Sequence, residues 1–204
     1  LTEQSLIVNK GSSEWIIEAL GSNAQGYINL PYRFDEDIPI EIVMERLYLN
    51  QVVDSLGLNI SDPRTLPSIN LKLEDFSFSN YHLGSINGNF LKTKDGLIAE
   101  ELIAKNDSFE MTGNIGWIYN ESYNKKVKTY LDIILKSDDV ADTLSKLDYQ
   151  PVIQSDDLEI QIDLDWDGSP FDEFVESLVG SFSLRLGSGQ LEEIDPGAGR
   201  VFGL

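Results

Sequence analysis

The chain of 204 residues has no cysteine and one histidine, His82. Without thiols it has no disulfide framework and no zinc–thiolate site. No serine or cysteine motif indicates His82 as a general base, so we interpret it as a surface residue. These shortages give no support to nucleophilic or acid–base catalysis.

Positive charge is also scarce, since 15 basic residues face 35 acidic ones and the formal net charge is −20. This balance argues against nucleic acid as a partner, because phosphate contacts need clusters of Lys and Arg. It argues equally against docking on an anionic membrane through a polybasic patch.

No apolar run reaches spanning length and the chain starts at Leu1. We expect a piece of a longer protein whose signal or membrane anchor lies outside it.

Strict alternation of apolar and polar residues is what the chain has in quantity. In residues 158–166 every second position is apolar and the intervening ones are polar, mostly acidic; residues 182–186 repeat the pattern. Such alternation puts all apolar side chains on one face of a β-strand. What covers that face is therefore the functional question.

The rest of the chain predicts a mainly β fold, an antiparallel meander of strands in sequence order with one apolar face. Residues 6–30 predict short strands broken at Gly11, Gly21 and Gly26, and residues 38–49 predict a strand whose alternation slips after Met44. Residues 51–58 could form one or two helical turns. Two short helices are predicted at residues 138–147 and 171–178, each behind a capping signal.

Two apparent ligand motifs fail on inspection. Asp163, Asp165, Asp167 and Gly168 resemble half of a calcium loop, but the twelfth position is Phe174 where a bidentate Glu is needed. Gly197, Gly199 and Gly203 lack the spacing and the following helix of a dinucleotide fingerprint. We interpret the acids as the polar side of a strand and the glycines as a turn, and we predict no metal site.

Several segments of the last third together resemble a known family. They include Leu164-Asp165-Trp166-Asp167-Gly168-Ser169-Pro170 and the terminal Asp195-Pro196-Gly197-Ala198-Gly199-Arg200-Val201-Phe202-Gly203-Leu204. This series is similar to the C-terminal region of AsmA-like proteins of the YhdP type, relatives of TamB. The resemblance covers residues 60–204 well and the first sixty more loosely. It implies that residues 1–60 continue the sheet of a longer parent and that residues 61–204 form a C-terminal β region truncated at its end.

The resemblance implies a large Gram-negative envelope protein, anchored in the inner membrane by a helix outside this chain. Its periplasmic body would be a long curved β-sheet, open along one side and apolar inside. Such proteins are implicated in moving phospholipids between the inner and outer membranes. No catalytic residues and no cofactor come with the family, so we expect a protein that is not an enzyme. The expected partners are phospholipid acyl chains, the other segments of the parent, and both membranes through the parent chain.

The candidate lipid-contacting residues are those that carry the alternation. They are Phe109, Met111, Ile115, Trp117, Leu131, Ile133, Leu135, Leu158, Ile160, Ile162, Leu164, Trp166, Phe182, Leu184 and Leu186. We predict that they face one side of one curved sheet, where each buried methylene would gain about 0.8 kcal/mol. Two alternatives remain: a structural or adhesin-like β-module with a closed dry core, and a carbohydrate-active or calcium-binding β-domain.

Overall fold

The protein is described by a computed structural model in residues 4–34, 38–49, 62–120, 126–170 and 177–191. The first seven strands are β1 Gln4–Lys10, β2 Glu14–Gly21, β3 Ala24–Pro31, β4 Ile40–Leu49, β5 Ile69–Phe78, β6 Tyr81–Lys92 and β7 Gly96–Lys105. The others are β8 Phe109–Asn120, β9 Lys126–Ser137, β10 Ile153–Ser155, β11 Leu158–Asp167, β12 Val179–Leu186 and β13 Gly189–Leu191. A helix, α1 Val140–Lys146, and a 3-10 turn, Pro63–Thr65, complete the described elements. The predicted mainly β fold is confirmed.

Eleven strands form one open curved sheet that follows the chain order from β1 to β12, with β10 left out. The short strands β10 and β13 pair with each other in a separate two-stranded sheet. Among the described strands of the large sheet, neighbours are antiparallel except β4 and β5, which are parallel. The predicted sequence order is kept, but the predicted antiparallel pairing is wrong for β4 and β5, because the chain returns to the opposite end of the sheet between Leu49 and Ile69.

A β-bulge in β4 explains the slip in its alternation. Met44 pairs with Gly26 and Arg46 pairs with Gln25, so that Glu45 is an extra residue between them. The bulge returns Leu47 to the face that Met44 occupies, which confirms the predicted slip. Gly26, however, lies inside β3 and does not break it. Its φ of +141° and the 2.3 Å from an added Cβ to the Val43 carbonyl explain why glycine is needed there.

Helix α1 confirms one of the two predicted helices. Its N-cap is Asp139, whose carboxylate accepts a hydrogen bond from the backbone N–H of Asp142 at 3.0 Å. The second predicted helix falls mostly in residues 171–176, which lie outside the described residues, as do residues 51–58 and the glycines near the C-terminus. In the described part of the chain, no helix is both long enough and apolar enough to cross a membrane.

Candidate functional site

Each of the eleven strands contributes apolar residues to one face of the sheet. Residues paired across neighbouring strands project to the same side, so the register can be followed from edge to edge. One such row crosses the whole sheet through Leu6, Ala19, Gly26, Met44, Leu73, Ile86, Ala104, Met111, Leu135, Ile160 and Leu184. We call this side of the sheet the apolar face and the opposite side the polar face.

The register brings the fifteen predicted residues together on the apolar face. Met111, Leu135, Ile160 and Leu184 stand in the row just described, and the next row contains Ile133, Ile162 and Phe182. The row after that contains Ile115, Leu131 and Leu164. Beyond it, Trp117 and Trp166 lie on either side of Thr129. At the opposite end of the same strands lie Phe109, Leu158 and Leu186. Their contact with lipid stays a prediction.

The apolar face extends well beyond the predicted residues, over strands β1 to β7. Val8, Ile17, Ile28, Ile42 and Leu71 continue the row of Ile162 on that side. The next position is Gly88, where an added Cβ would lie 2.7 Å from the Cδ1 atom of Leu102. The leucine therefore fills the space that the glycine leaves. The alternation in β4 and β5 was the available signal, but it does not say which strands share a sheet.

Burial along the apolar face is deep in the middle and low at both edges. Met44 and Leu73 are 4% and 3% exposed, whereas Leu6 on β1 and Phe182 on β12 are 72% and 63% exposed. Leu184, in the same strand as Phe182, is exposed as well. The face is therefore accessible from its two edge strands.

One end of the strands, which we call the lower rim, is covered by α1. Val140 of this helix is 1% exposed and packs with Phe109, Leu135 and Leu158, and Ile153 of β10 packs against the same cluster. Buried hydrogen bonds hold the helix in place: the Thr143 hydroxyl lies 2.8 Å from Ser137 Oγ and donates to the Ser108 carbonyl at 3.1 Å. The helix is a fixed cover over the ends of β8, β9 and β11.

The opposite end, the upper rim, carries the 3-10 turn against the ends of β7 and β8. Arg64 in this turn lies over the Tyr119 ring, 3.8 Å from its centroid, and its Nη2 donates to Asp62 Oδ2 at 2.6 Å. The hydrogen bond from Arg64 holds the pKa of Asp62 below its ordinary range. Trp166 also ends at this rim, where its indole N–H donates to the Ser169 carbonyl at 3.1 Å.

The three tryptophans differ in their burial. Trp117 and Trp166 are packed into the sheet at 6% and 7% exposure, as expected for core residues. Trp15, at the upper rim, is exposed and packs edge-to-face on Tyr32 with ring centroids 5.4 Å apart. Of the three tryptophans, Trp15 is therefore the one that offers its ring to a ligand.

The polar face carries acidic side chains, several of which form ion pairs with Lys or Arg. Asp165 pairs with Lys128, and Glu159 lies 3.6 Å from Lys136 and 3.3 Å from Arg185. Asp163 is exposed on this face. A shallow polar cleft of about 500 Å³, lined by Glu41, Asn70, Lys72 and Glu100 among others, also opens on this side. The acids of the apparent calcium motif are thus the solvent side of a strand.

His82 has polar neighbours but not the geometry of a catalytic triad. Its Nδ1 atom lies 3.0 Å from Ser77 Oγ and 3.8 Å from Asp75 Oδ1. In a triad the nucleophile and the acid contact opposite ring nitrogens, whereas here both approach the same one. Among the described residues, no three His, Asp or Glu side chains are grouped so that they could hold a metal ion.

The fold and site define an open-sheet β protein with one continuous apolar face. A model of the YhdP protein family matches residues 1–204, and the chain belongs to the YhdP family. The resemblance found in the sequence is thereby confirmed. Neither the curated proteins nor the solved structures contain a match to this chain. Membership of this family is consistent with a Gram-negative envelope protein and with bridge-like lipid transport.

Proposed function

We propose that this chain is a segment of a bridge-like lipid-transfer protein in the periplasm of a Gram-negative bacterium. Its apolar face carries the acyl chains of phospholipids between the inner and outer membranes. The partners are these lipids, the other segments of the parent protein, and both membranes through that parent. The chain itself is not an enzyme, because passage along a surface requires no bond to be made or broken.

The observation that carries this proposal is the apolar row across all eleven strands. A lipid that moves along the sheet must cross each strand in turn, and the row from Leu6 to Leu184 contains no charged side chain. Each methylene removed from water contributes about 0.8 kcal/mol. Outside the β-bulges, the backbone polar groups of the described strands are paired between neighbouring strands, so they can lie beneath hydrocarbon without water.

The alternative of a closed dry module needs a second layer over the apolar face. In the described residues, the elements outside the large sheet are α1, the two-stranded sheet and the 3-10 turn. Val140 of α1 and Ile153 of β10 pack on Phe109, Leu135 and Leu158 near the lower rim, and the turn contacts β7 and β8 at the upper rim. The exposed side chains of Leu6 and Phe182 favour an open surface over a closed core. This geometry supports the conduit over the closed module.

Photo-crosslinking tests the proposal directly. A photoreactive amino acid is placed at Ile162 or Phe182 on the apolar face, with the adjacent Asp163 or Ser183 on the polar face as matched controls. After irradiation in cells that express the full-length protein, we expect lipid adducts at the two apolar positions. Adducts at neither apolar position, or equal adducts at both members of each pair, would contradict the conduit.

A further inference from the structure

Among the described strands of the large sheet, the apolar face carries two charged side chains, and both are lysines at the upper rim; Arg64 of the 3-10 turn is paired with Asp62. Lys10 is the last residue of β1 and pairs with Trp15; Lys92 is the last residue of β6 and pairs with Leu97. Trp15 and Leu97 belong to the apolar face, so both lysines project to that side. In a chain with a net charge of −20, two cations at one edge of an apolar surface require an explanation.

In the described residues, the contacts of these two lysines are an aromatic ring and a backbone carbonyl, and no carboxylate is among them. Lys10 Nζ lies 5.9 Å from the centroid of the Tyr32 ring, and Lys92 Nζ donates to the Phe34 carbonyl at 3.3 Å. The lysines near the lower rim differ, because acids neutralise them. Lys105 donates to Glu110 at 2.9 Å, which raises the pKa of Lys105, and Lys146 lies 2.7 Å from Asp142.

The two rims also differ in their exposed residues. The turns of the lower rim present acids, Asp107, Asp138, Asp139, Asp156 and Asp157, all of them exposed. Around the upper-rim lysines lie exposed aromatic rings: Trp15, Tyr32 and Phe34. Aromatic side chains and lysines whose stems lie on apolar surface are typical of the boundary between lipid tails and headgroups. The upper rim also carries acids, of which Asp62 is paired with Arg64 and Asp95 lies 3.8 Å from Lys94. The exposed acids of the lower rim repel an anionic group, whereas direct contact with Lys10 or Lys92 attracts one.

We propose that the upper rim binds the phosphate headgroups of phospholipids whose acyl chains lie on the apolar face, with Lys10 and Lys92 as the contacting cations. This inference rests on the proposed function and adds an orientation to it. The tails point toward the lower rim, where α1 covers the strand ends. The headgroups travel along the upper rim in contact with water.

The test compares two lipids with the same acyl chains, dioleoyl phosphatidylglycerol and dioleoylglycerol, which lacks the phosphate. Binding of each to the purified chain is measured by native mass spectrometry. The variant Lys10→Gln/Lys92→Gln is paired with the control Lys72→Gln/Lys136→Gln, which removes the same charge from the polar face. We expect the rim variant to lose about fivefold in phosphatidylglycerol affinity per lysine. Its affinity for dioleoylglycerol, and both affinities of the control, should stay within about twofold of the wild type.

Each other result has a defined meaning. If the wild type binds neither lipid, the proposed function fails and this inference fails with it. Suppose that the wild type binds both lipids and that the rim variant keeps both affinities, or loses affinity for both lipids equally. The conduit then stands and the headgroup assignment is overturned. A loss as large in the control variant would attribute the effect to overall charge and overturn it as well. Competition by inorganic phosphate alone would indicate a free-anion site instead.

Discussion

At the residue scale, positions on the same apolar face differ greatly in how they should tolerate charge. Ile162 is half-buried and open toward the exposed edge strand, whereas Val140 is enclosed between α1 and the sheet. We expect Ile162→Lys to lower the free energy of unfolding by less than about 2 kcal/mol, because the lysine stem can lie along the face with its ammonium in water. Val140→Lys should cost about 3–5 kcal/mol or prevent folding. Urea unfolding of both variants measures the difference; equal losses would mean that the face is closed.

The Asp62–Arg64 pair makes a prediction about pH at the same scale. Because the pKa of Asp62 is lowered in the folded protein, the pair stabilises the fold at neutral pH, and this contribution is lost as the pH falls through the folded value. In Arg64→Gln the pKa of Asp62 should rise toward its ordinary value near 3.9. Carboxyl NMR titration measures it. Lys94→Gln is the matched control, since Lys94 lies at the same rim beside Asp95. An unchanged Asp62 titration in Arg64→Gln would refute the assignment.

At the element scale, α1 depends on a buried hydroxyl as well as on apolar contacts. Thr143→Val keeps the shape of the side chain but leaves the carbonyl of Ser108 and the hydroxyl of Ser137 without this partner. We expect a loss of about 1–3 kcal/mol in the free energy of unfolding. Ser145→Ala on the exposed side of the same helix should change it by no more than about 0.5 kcal/mol. If Thr143→Val is as mild as the control, the network does not fix the helix.

Among the strands and the helix, some features could be predicted from local sequence and others could not. Alternation in β8, β9 and β11 and the capping signal ahead of α1 were recognised because side-chain period and capping are local properties. The parallel pairing of β4 with β5 was not, since a strand looks the same whichever neighbour it joins. Gly26 was taken for a break because a glycine with positive φ is as typical of a turn as of a bulge.

At the scale of the whole molecule, charge should keep the chain off membrane surfaces. The acidic polar face and the net charge of −20 repel anionic bilayers, so that single lipid molecules are the expected ligands and intact leaflets are not. Cosedimentation with phosphatidylglycerol vesicles should therefore not increase as salt is lowered. A variant with Asp132→Asn, Glu159→Gln and Asp163→Asn should bind more than the wild type. Strong, salt-sensitive binding of the wild type would contradict this expectation.

The candidate site could be predicted only in part for a related reason. Fifteen residues were found from their own strands, yet the apolar face owes its length to the register of eleven strands, which depends on long-range pairing. Leu6 and Ile28 join the face of Ile162 only through that pairing. The rim lysines were missed because Lys10 and Lys92 are ordinary strand ends until both prove to lie at one edge of one surface.

Transport along such a surface is a series process, and a block at any strand should stop it. We expect Ile28→Asp in β3 and Ile162→Asp in β11 each to reduce phospholipid transfer by the full-length protein at least about tenfold, because a carboxylate in the path of the tails costs several kcal/mol. The double variant should be little worse than either single one. Transfer of a fluorescent phospholipid between vesicles measures the rate, and circular dichroism confirms that each variant is folded. Tyr27→Asp and Gln161→Asp place the same charge on the polar face of the same strands and should transfer at the wild-type rate. If Ile28→Asp leaves transfer intact while Ile162→Asp abolishes it, the lipid does not travel the length of the sheet, and only its C-terminal strands belong to the path.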